Sequence, residues 1–365
     1  MTRLALLGPA NSIHLQRWAQ ALVSRGHDLL ILSQNPCERN LLPTNAEVRW
    51  LPHSGNAGYF LNAWSVRRWL TQWQPQLLNA HYASGYGTTM ALCGFQPTLL
   101  SVWGSDVFDF PKESAAKRQL LVWNLKRATA VASTSQVMAR QVQKLTPARQ
   151  VVAVTPFGVD LARFAPAPGR QARRPLTLGI VKTLAHKYGV DLLLRAFAEL
   201  VQDKQVAAAH PALRLRIVGD GPDRAELQSL AQSLRLQQRV DFAGAVPHDE
   251  VPEALRSFDI YAAPSRLDSE SFGVAVIEAS ACGLPVVVSD AGGLPEVVLD
   301  GRTGLVVPRD DVPALCKALR RLVLDAGLRR RLGQAGRAHV EATYEWSHCV
   351  DVMEQAYDAV LAGQP

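Results

Sequence analysis

The sequence predicts two doubly wound α/β domains facing one another across a cleft. Short apolar runs alternate with helix-like segments from the first residues onward. That alternation breaks once, at Phe164–Pro175, and then restarts. The chain has 365 residues, enough for two or three domains of about 100–200 residues each. Its 48% apolar and 19% charged content suits folded cores and excludes disorder over most of its length.

The elements follow in order. Arg3–Leu7 reads as a strand, Gly8–Ser12 as a loop, and the next segment as a helix to about Arg25 that Gly26 stops with a left-handed cap. Asp28–Ser33 is a second strand, and further strands are expected at Leu77–Ala80, Thr98–Val102, Ala128–Ala132 and Val151–Val154. Separated by helical or irregular segments, these runs form the pattern of a parallel sheet with crossover helices. Phe164–Pro175 carries three prolines and three arginines and no apolar period, so it reads as a linker. Strands are then expected at Leu176–Val181, Leu213–Val218, Val240–Ala243, Asp259–Ala262, Val286–Ser289 and Gly304–Val307. Helices are expected at Val190–Gln202, Asp223–Leu234, Gly273–Cys282, Val312–Leu324 and Ala326–Ala338. The predicted domains are 1–165 and 166–346, with a helix in 347–365 packing back toward the first. Ligands of such sheets bind at the carboxyl ends of strands.

Composition narrows the function. No run approaches the ~18 apolar residues of a spanning helix. Leu4-Ala5-Leu6-Leu7 is too short for the core of a signal peptide. The five cysteines are spread without a C-x-x-C, so neither a disulfide framework nor a structural zinc site is expected, and a reducing cytoplasm fits. Cys282 and Cys316 are expected to be buried. The net charge is +7, but residues 1–168 carry 16 Lys+Arg against 7 Asp+Glu, and the rest is near neutral. A basic first half suggests an anionic partner there: nucleic acid, a membrane surface or a phosphorylated substrate. The basic residues are scattered and lack an aromatic-rich companion motif, which disfavours nucleic acid.

The most informative stretch runs from Pro264 to Pro308. Glu270 lies in a loop before a helix, and Glu278 stands about a turn and a half inside it. Helical side chains tilt toward the N-terminus, so both carboxylates can meet one ligand at the helix start. Phe272-Gly273 permits close backbone approach, and the helix opening at Val274 presents free amides that suit phosphate oxygens. Glu278 sits among Val274, Ile277, Ala281 and Cys282, where an unpaired carboxylate is costly. Two adjacent ribose hydroxyls would satisfy it. The alternative is that Glu278 pairs with a Lys or Arg and Glu270 only caps the helix.

This stretch, S-E-S-F-G-V-A-V-I-E-A-S-A-C-G-L-P-V-V, resembles the signature of retaining glycosyltransferases of family 4, which have the GT-B fold. Asp290–Glu296, Asp300–Leu305, Pro156–Asp160, Lys187–Asp191, Val218–Pro222 and Val240–Gly244 extend the resemblance over most of residues 1–340. By motif position it implies that Glu278 binds the donor ribose and Glu270 the transferred sugar. It also implies that Lys182 and Lys187 hold the diphosphate and that Gly219 lies near the nucleotide. Lys182 stands where the family often has arginine, which keeps the charge but loses the bidentate fork. Gly8, Asn11, Ser12 and His14 match the family's first loop, facing donor phosphates and acceptor; His14 also reads as a helix-surface residue. Trp103 replaces a histidine common in the family's catalytic loop, so His81, at a strand's carboxyl end, becomes a substitute candidate against a core or capping role. Asp106 matches a family aspartate that orients the acceptor or that loop.

The resemblance implies a retaining transferase working from a nucleotide diphosphate sugar, with no cofactor. The sequence has no D-x-D triplet, consistent with metal independence. The implied acceptor is a lipid-linked or glycan molecule in cell-envelope polysaccharide or glycolipid synthesis. Val66, Trp69, Leu70 and Trp73 share one helical face, with Arg67 and Arg68 off it. That arrangement reads as a helix packed on the sheet, or as a peripheral contact with anionic membrane on the cytoplasmic side. A sugar-nucleotide epimerase of the same fold is the rival reading. The absence of G-x-G-x-x-G disfavours a nicotinamide oxidoreductase.

Overall fold

A computed structural model describes residues 1–146, 151–167 and 175–363. The chain divides into two compact units, Met1–Phe157 with Ser347–Pro365, and Gly158–Trp346. The division therefore falls before the proline-rich stretch. Phe164 is 1% exposed and belongs to the second unit's interior, because its ring is too apolar to leave in a linker. Residues 168–174 of the expected linker lie outside the described residues.

The first unit holds seven strands, β1 (Arg3–Leu7), β2 (Asp28–Ser33), β3 (Glu47–Trp50), β4 (Leu77–His81), β5 (Thr98–Val102), β6 (Ala130–Ser133) and β7 (Val152–Val154). Their order is β3-β2-β1-β4-β5-β6-β7, and every pairing is parallel. Parallel strands are covered on both faces, which is why they read as unbroken apolar runs. β3 escaped the sequence reading for the same reason. It is an edge strand, EVRW, only partly buried, so no apolar run marks it. Ala5, Leu7, Leu30, Leu78, Leu100 and Val131 lie in one core cluster with Leu121 and Leu125 of the helix Ala115–Arg127.

The second unit holds β8 (Thr177–Val181), β9 (Arg214–Val218), β10 (Val240–Gly244), β11 (Ile260–Ala263), β12 (Val286–Ser289) and β13 (Gly304–Val307). These are ordered β10-β9-β8-β11-β12-β13, again all parallel. Leu178, Ile180, Leu215 and Ile217 pack with Leu193, Ala196, Phe197 and Leu200 of the helix Val190–Gln202. Two short helices, Lys204–Ala209 and Val251–Arg256, have no counterpart in the sequence reading, and the expected helix from Ala326 continues to Thr343. Cys282 is buried as expected, whereas Cys316 is only half-buried, because its helix turns that position partly outward. Among the described residues, no helix is long and apolar enough to cross a membrane.

The chain's last helix, Trp346–Leu361, returns to the first unit. Arg25 holds it through Asp351 and Glu354, and donates to the Ser347 carbonyl at 2.8 Å. Deeper in, the Tyr357 hydroxyl donates to Asn79 Oδ1 at 2.9 Å. Asn79 lies wholly buried in β4, and its amide nitrogen donates to Leu99 O at 3.0 Å and Ser101 Oγ at 2.9 Å. Removing the Tyr357 hydroxyl leaves a buried acceptor without its donor. Tyr357→Phe is expected to lower stability by about 1–3 kcal/mol, read from urea melts of the full chain.

Candidate functional site

In each sheet the strand order reverses once, at β1/β4 and at β8/β11. Loops leave in opposite directions there, which opens a crevice at the carboxyl ends. The sequence's candidate residues lie at the carboxyl ends of these strands and their neighbours, at the strand end itself, on the loop that follows or in the helix after it.

In the second unit, Lys182 follows β8, Gly219 follows β9, and Glu270 to Gly273 follow β11. Lys182 Nζ lies 2.8 Å from Glu270 Oε1, an ion pair with its side chains 19% and 8% exposed. Burial works against the Lys182 charge, but Glu270, Tyr188 and Glu278 together outweigh it, so the ammonium's pKa is raised. The Tyr188 ring draws the second lysine in: Lys182 Nζ is 4.5 Å and Lys187 Nζ 4.8 Å from its centroid. Burial and then the charge on Glu270 push the Tyr261 hydroxyl's pKa up, keeping it neutral beneath the pair. Gly219 has φ of 142°, and a β-carbon there would lie 1.9 Å from the Lys182 carbonyl oxygen. Only glycine lets these two loops touch.

Gly273, at φ 94°, opens the helix Val274–Ala281 with no side-chain cap on its first amides. Phe272 is 4% exposed, and its ring packs edge-on against Tyr344 at 5.5 Å. Glu278 is 4% exposed, and its Oε1 lies 3.1 Å from His248 Nε2. The alternative pairing of Glu278 with Lys or Arg is thus replaced by a histidine from the loop after β10. Glu270 pairs with Lys182 and does not cap the helix, because that N-cap is Gly273. Two arginines brace the loop that carries Glu270. Arg266 grips Asp191 at 2.6 and 2.8 Å and Asp310 at 2.7 Å, and Arg309 joins Asp268 at 2.8 Å to Asp290 at 3.1 Å.

In the first unit, Asp106 is wholly buried, and its carboxylate accepts from the amides of Ala83 at 2.8 Å, Gly104 at 2.8 Å and Trp103 at 3.1 Å. Burial raises its pKa, and the three amides counter that. It therefore ties the loop after β5 to the loop after β4, an orienting role for the loop. His81 ends β4 and is wholly buried, with neither ring nitrogen hydrogen-bonded. It packs 5.5 Å from the Trp103 ring and close under Gly8, so it occupies core space at the strand end. Ser12 caps the first helix through the His14 amide at 3.3 Å, and the His14 ring stacks on Phe157 at 4.1 Å. Asn11 is exposed beside them.

Two family models match the chain: "Glycosyl transferase 4-like" over residues 3–135 and "Glycosyl transferases group 1" over residues 166–339. The chain belongs to the group 1, family 4-like glycosyltransferases. A GDP-mannose-dependent alpha-(1-6)-phosphatidylinositol monomannoside mannosyltransferase of Mycolicibacterium smegmatis is 38% identical over 205 residues, 52% of each chain. The chain spans about half the length of the first curated relatives it matches. A sucrose-phosphate synthase from Thermosynechococcus elongatus, 21% identical, superimposes with a TM-score of 0.83 over 99% of this chain and all of that one. Anabaena HepE, solved with UDP and glucose, gives 0.81 at 19% identity over 98% of this chain and all of its own. The chain therefore has the GT-B fold.

Burial pushes the His81 pKa from 6.5 down to about 3, with His14 adding to the effect. Above pH 6.5 the imidazole is neutral folded or unfolded, and below it only the unfolded chain takes the proton. Stability therefore falls as pH drops from about 6.5 and levels off near 3. Between pH 6.5 and 5, the wild type is expected to lose about 2 kcal/mol more than His81→Leu, read from urea melts at each pH.

Proposed function

We propose that this glycosyltransferase moves a sugar from a nucleotide diphosphate sugar to an acceptor hydroxyl, with retention at the anomeric carbon, in glycolipid or cell-envelope polysaccharide synthesis. The observation that carries this reading is the placement of two buried carboxylates, Glu270 and Glu278, with Lys182 at one switch point. Glu278 accepts from the ribose hydroxyls. Glu270 accepts from hydroxyls of the transferred sugar. Lys182, Lys187 and the amides after Gly273 meet the diphosphate, stabilising the charge that develops on it as it leaves. The bond from the anomeric carbon to the phosphate oxygen breaks, and the acceptor oxygen bonds to the same face. The acceptor proton passes to the departing phosphate, so the step requires no protein nucleophile and no cofactor. Metal independence follows in this reading from the lysines supplying the positive charge.

The first unit, in the same reading, recognises a lipid-linked or glycan acceptor, with the loops of Gly8, Asn11, Ser12 and His14 and of Asp106 shaping its end. Beyond those loops, Trp64 is 71% exposed, Leu61 57% and Phe60 49%. Arg67 and Arg68 are exposed one turn further along the helix Ala63–Trp73. Apolar rings beside guanidinium groups suit the headgroup layer of an anionic membrane. The mycolicibacterial relative, a phosphatidylinositol monomannoside mannosyltransferase, supports a lipid acceptor. The enzyme in this reading works on the cytoplasmic side, where its five free cysteines stay reduced.

The decisive test screens nucleotide sugars by thermal shift and assays the hits against lipid-linked acceptors, with NMR of the product's anomeric proton. Retained configuration is expected; inversion or release of free sugar alone would sink the reading. Glu278→Gln should weaken nucleoside diphosphate binding at least tenfold by calorimetry, and unchanged affinity would remove the ribose role. The triple variant Trp64→Ser, Arg67→Glu, Arg68→Glu should lose sedimentation with vesicles containing phosphatidylglycerol while remaining folded. Undiminished sedimentation would refute the membrane contact.

A further inference from the structure

Glu278 projects from a helix whose other buried positions are Val276, Ile277, Ala279, Ser280 and Ala281. A carboxylate in such surroundings requires a donor to hold it. His248 supplies one at 3.1 Å, from the loop that follows β10. That loop is pinned on both sides of the ring. Glu250 N donates to Pro247 O at 3.0 Å and Val251 N to His248 O at 3.4 Å, while Arg163 also reaches the His248 carbonyl at 3.4 Å. The buried Phe164 ring lies 5.9 Å from the imidazole, which is itself only 28% exposed.

We propose that His248 is a positioning residue for the nucleotide ribose. Its Nε2–H donates to Oε1 of Glu278, which fixes the plane of the carboxylate. An ionised carboxylate has about four lone-pair sites, so the remaining ones stay available to the ribose diol. Without His248 the carboxylate would lack that donor in the unliganded chain, and binding would carry the cost of orienting it. The proposal rests on the reading of Glu278 as the ribose acceptor. It adds a residue that acts through that carboxylate and does not itself touch the sugar.

The test is calorimetry of the full chain with UDP and GDP, each alongside its 2′,3′-dideoxy counterpart. His248→Ala should weaken the preferred ribonucleotide about tenfold. His248→Gln, whose amide nitrogen reaches about as far as Nε2, should restore most of that loss. Neither variant should change affinity for the dideoxy nucleotide. An equal loss for ribo and dideoxy forms would overturn the proposal, since His248 would then only brace its loop. So would wild-type affinity in His248→Ala while Glu278→Gln binds poorly, an outcome that leaves the ribose reading intact. If Glu278→Gln binds as wild type, the ribose reading fails and this proposal with it.

Discussion

The Lys182–Glu270 ion pair is the constraint on which the second unit's site depends. Both charges sit at strand ends where little water reaches them, and each alone would be costly to bury. Held at 2.8 Å they satisfy one another, and each still has capacity for a ligand. The pair also fixes the relation between the loops after β8 and β11, the two strands at which the sheet's order reverses. Removing either partner would strand the other charge. The local backbone is built around this contact: Gly219 lets the β9 loop press on the Lys182 carbonyl, and Gly292 admits the Glu270 carbonyl from the other side.

The arginines outside the pair carry the constraint outward. Arg266 and Arg309 each join two aspartates from separate segments, and Arg266 uses the bidentate fork that a lysine cannot make. Both are partly exposed, so their contribution to stability is modest, on the order of 1 kcal/mol per pair. Their effect is geometric. They limit where the Pro264–Gly273 loop can go and so limit where Glu270 can stand. Asp106 does the same work in the first unit by a different means, gathering three backbone amides in place of a cation.

The fold was legible because parallel strands covered on both faces leave apolar runs that chain order alone can arrange. The edge strand Glu47–Trp50 was not, since partial burial removes that run and its charged residues read as loop. The candidate carboxylates were legible from their spacing around Phe272-Gly273. Their partners were not. Tyr188 adjoins Lys187 in sequence, yet nothing there signals that its ring also meets Lys182. His248 lies 30 residues before Glu278, across a helix and a strand, and one histidine in a loop carries no signal of its target. His81 shows the converse. Its place at a strand end suggested reactivity, but the strand end itself is enclosed, and burial with no hydrogen-bond partner keeps the ring neutral.

The charge asymmetry can be read at the level of partners. In the second unit several charges pair with one another: Arg216 with Asp241, Arg256 with Glu253, Arg320 with Asp203, and the four aspartates held by Arg266 and Arg309. In the first, Arg67, Arg68, Lys112, Arg118 and Lys126 have no ion-pair partner among the described residues, and all five are exposed. Charges with internal partners set geometry and are nearly invisible at a distance. Exposed cations without them keep their field in solution, attenuated only over the ~10 Å screening length at ordinary salt. The second unit thus concentrates its site charge in a local lysine pair, Lys182 and Lys187 about the Tyr188 ring, whereas the first spreads exposed cations over its surface. Paired charges brace the Glu270 loop in the second unit, while the exposed cations of the first stay open to solvent, a distinction that net charge alone does not carry.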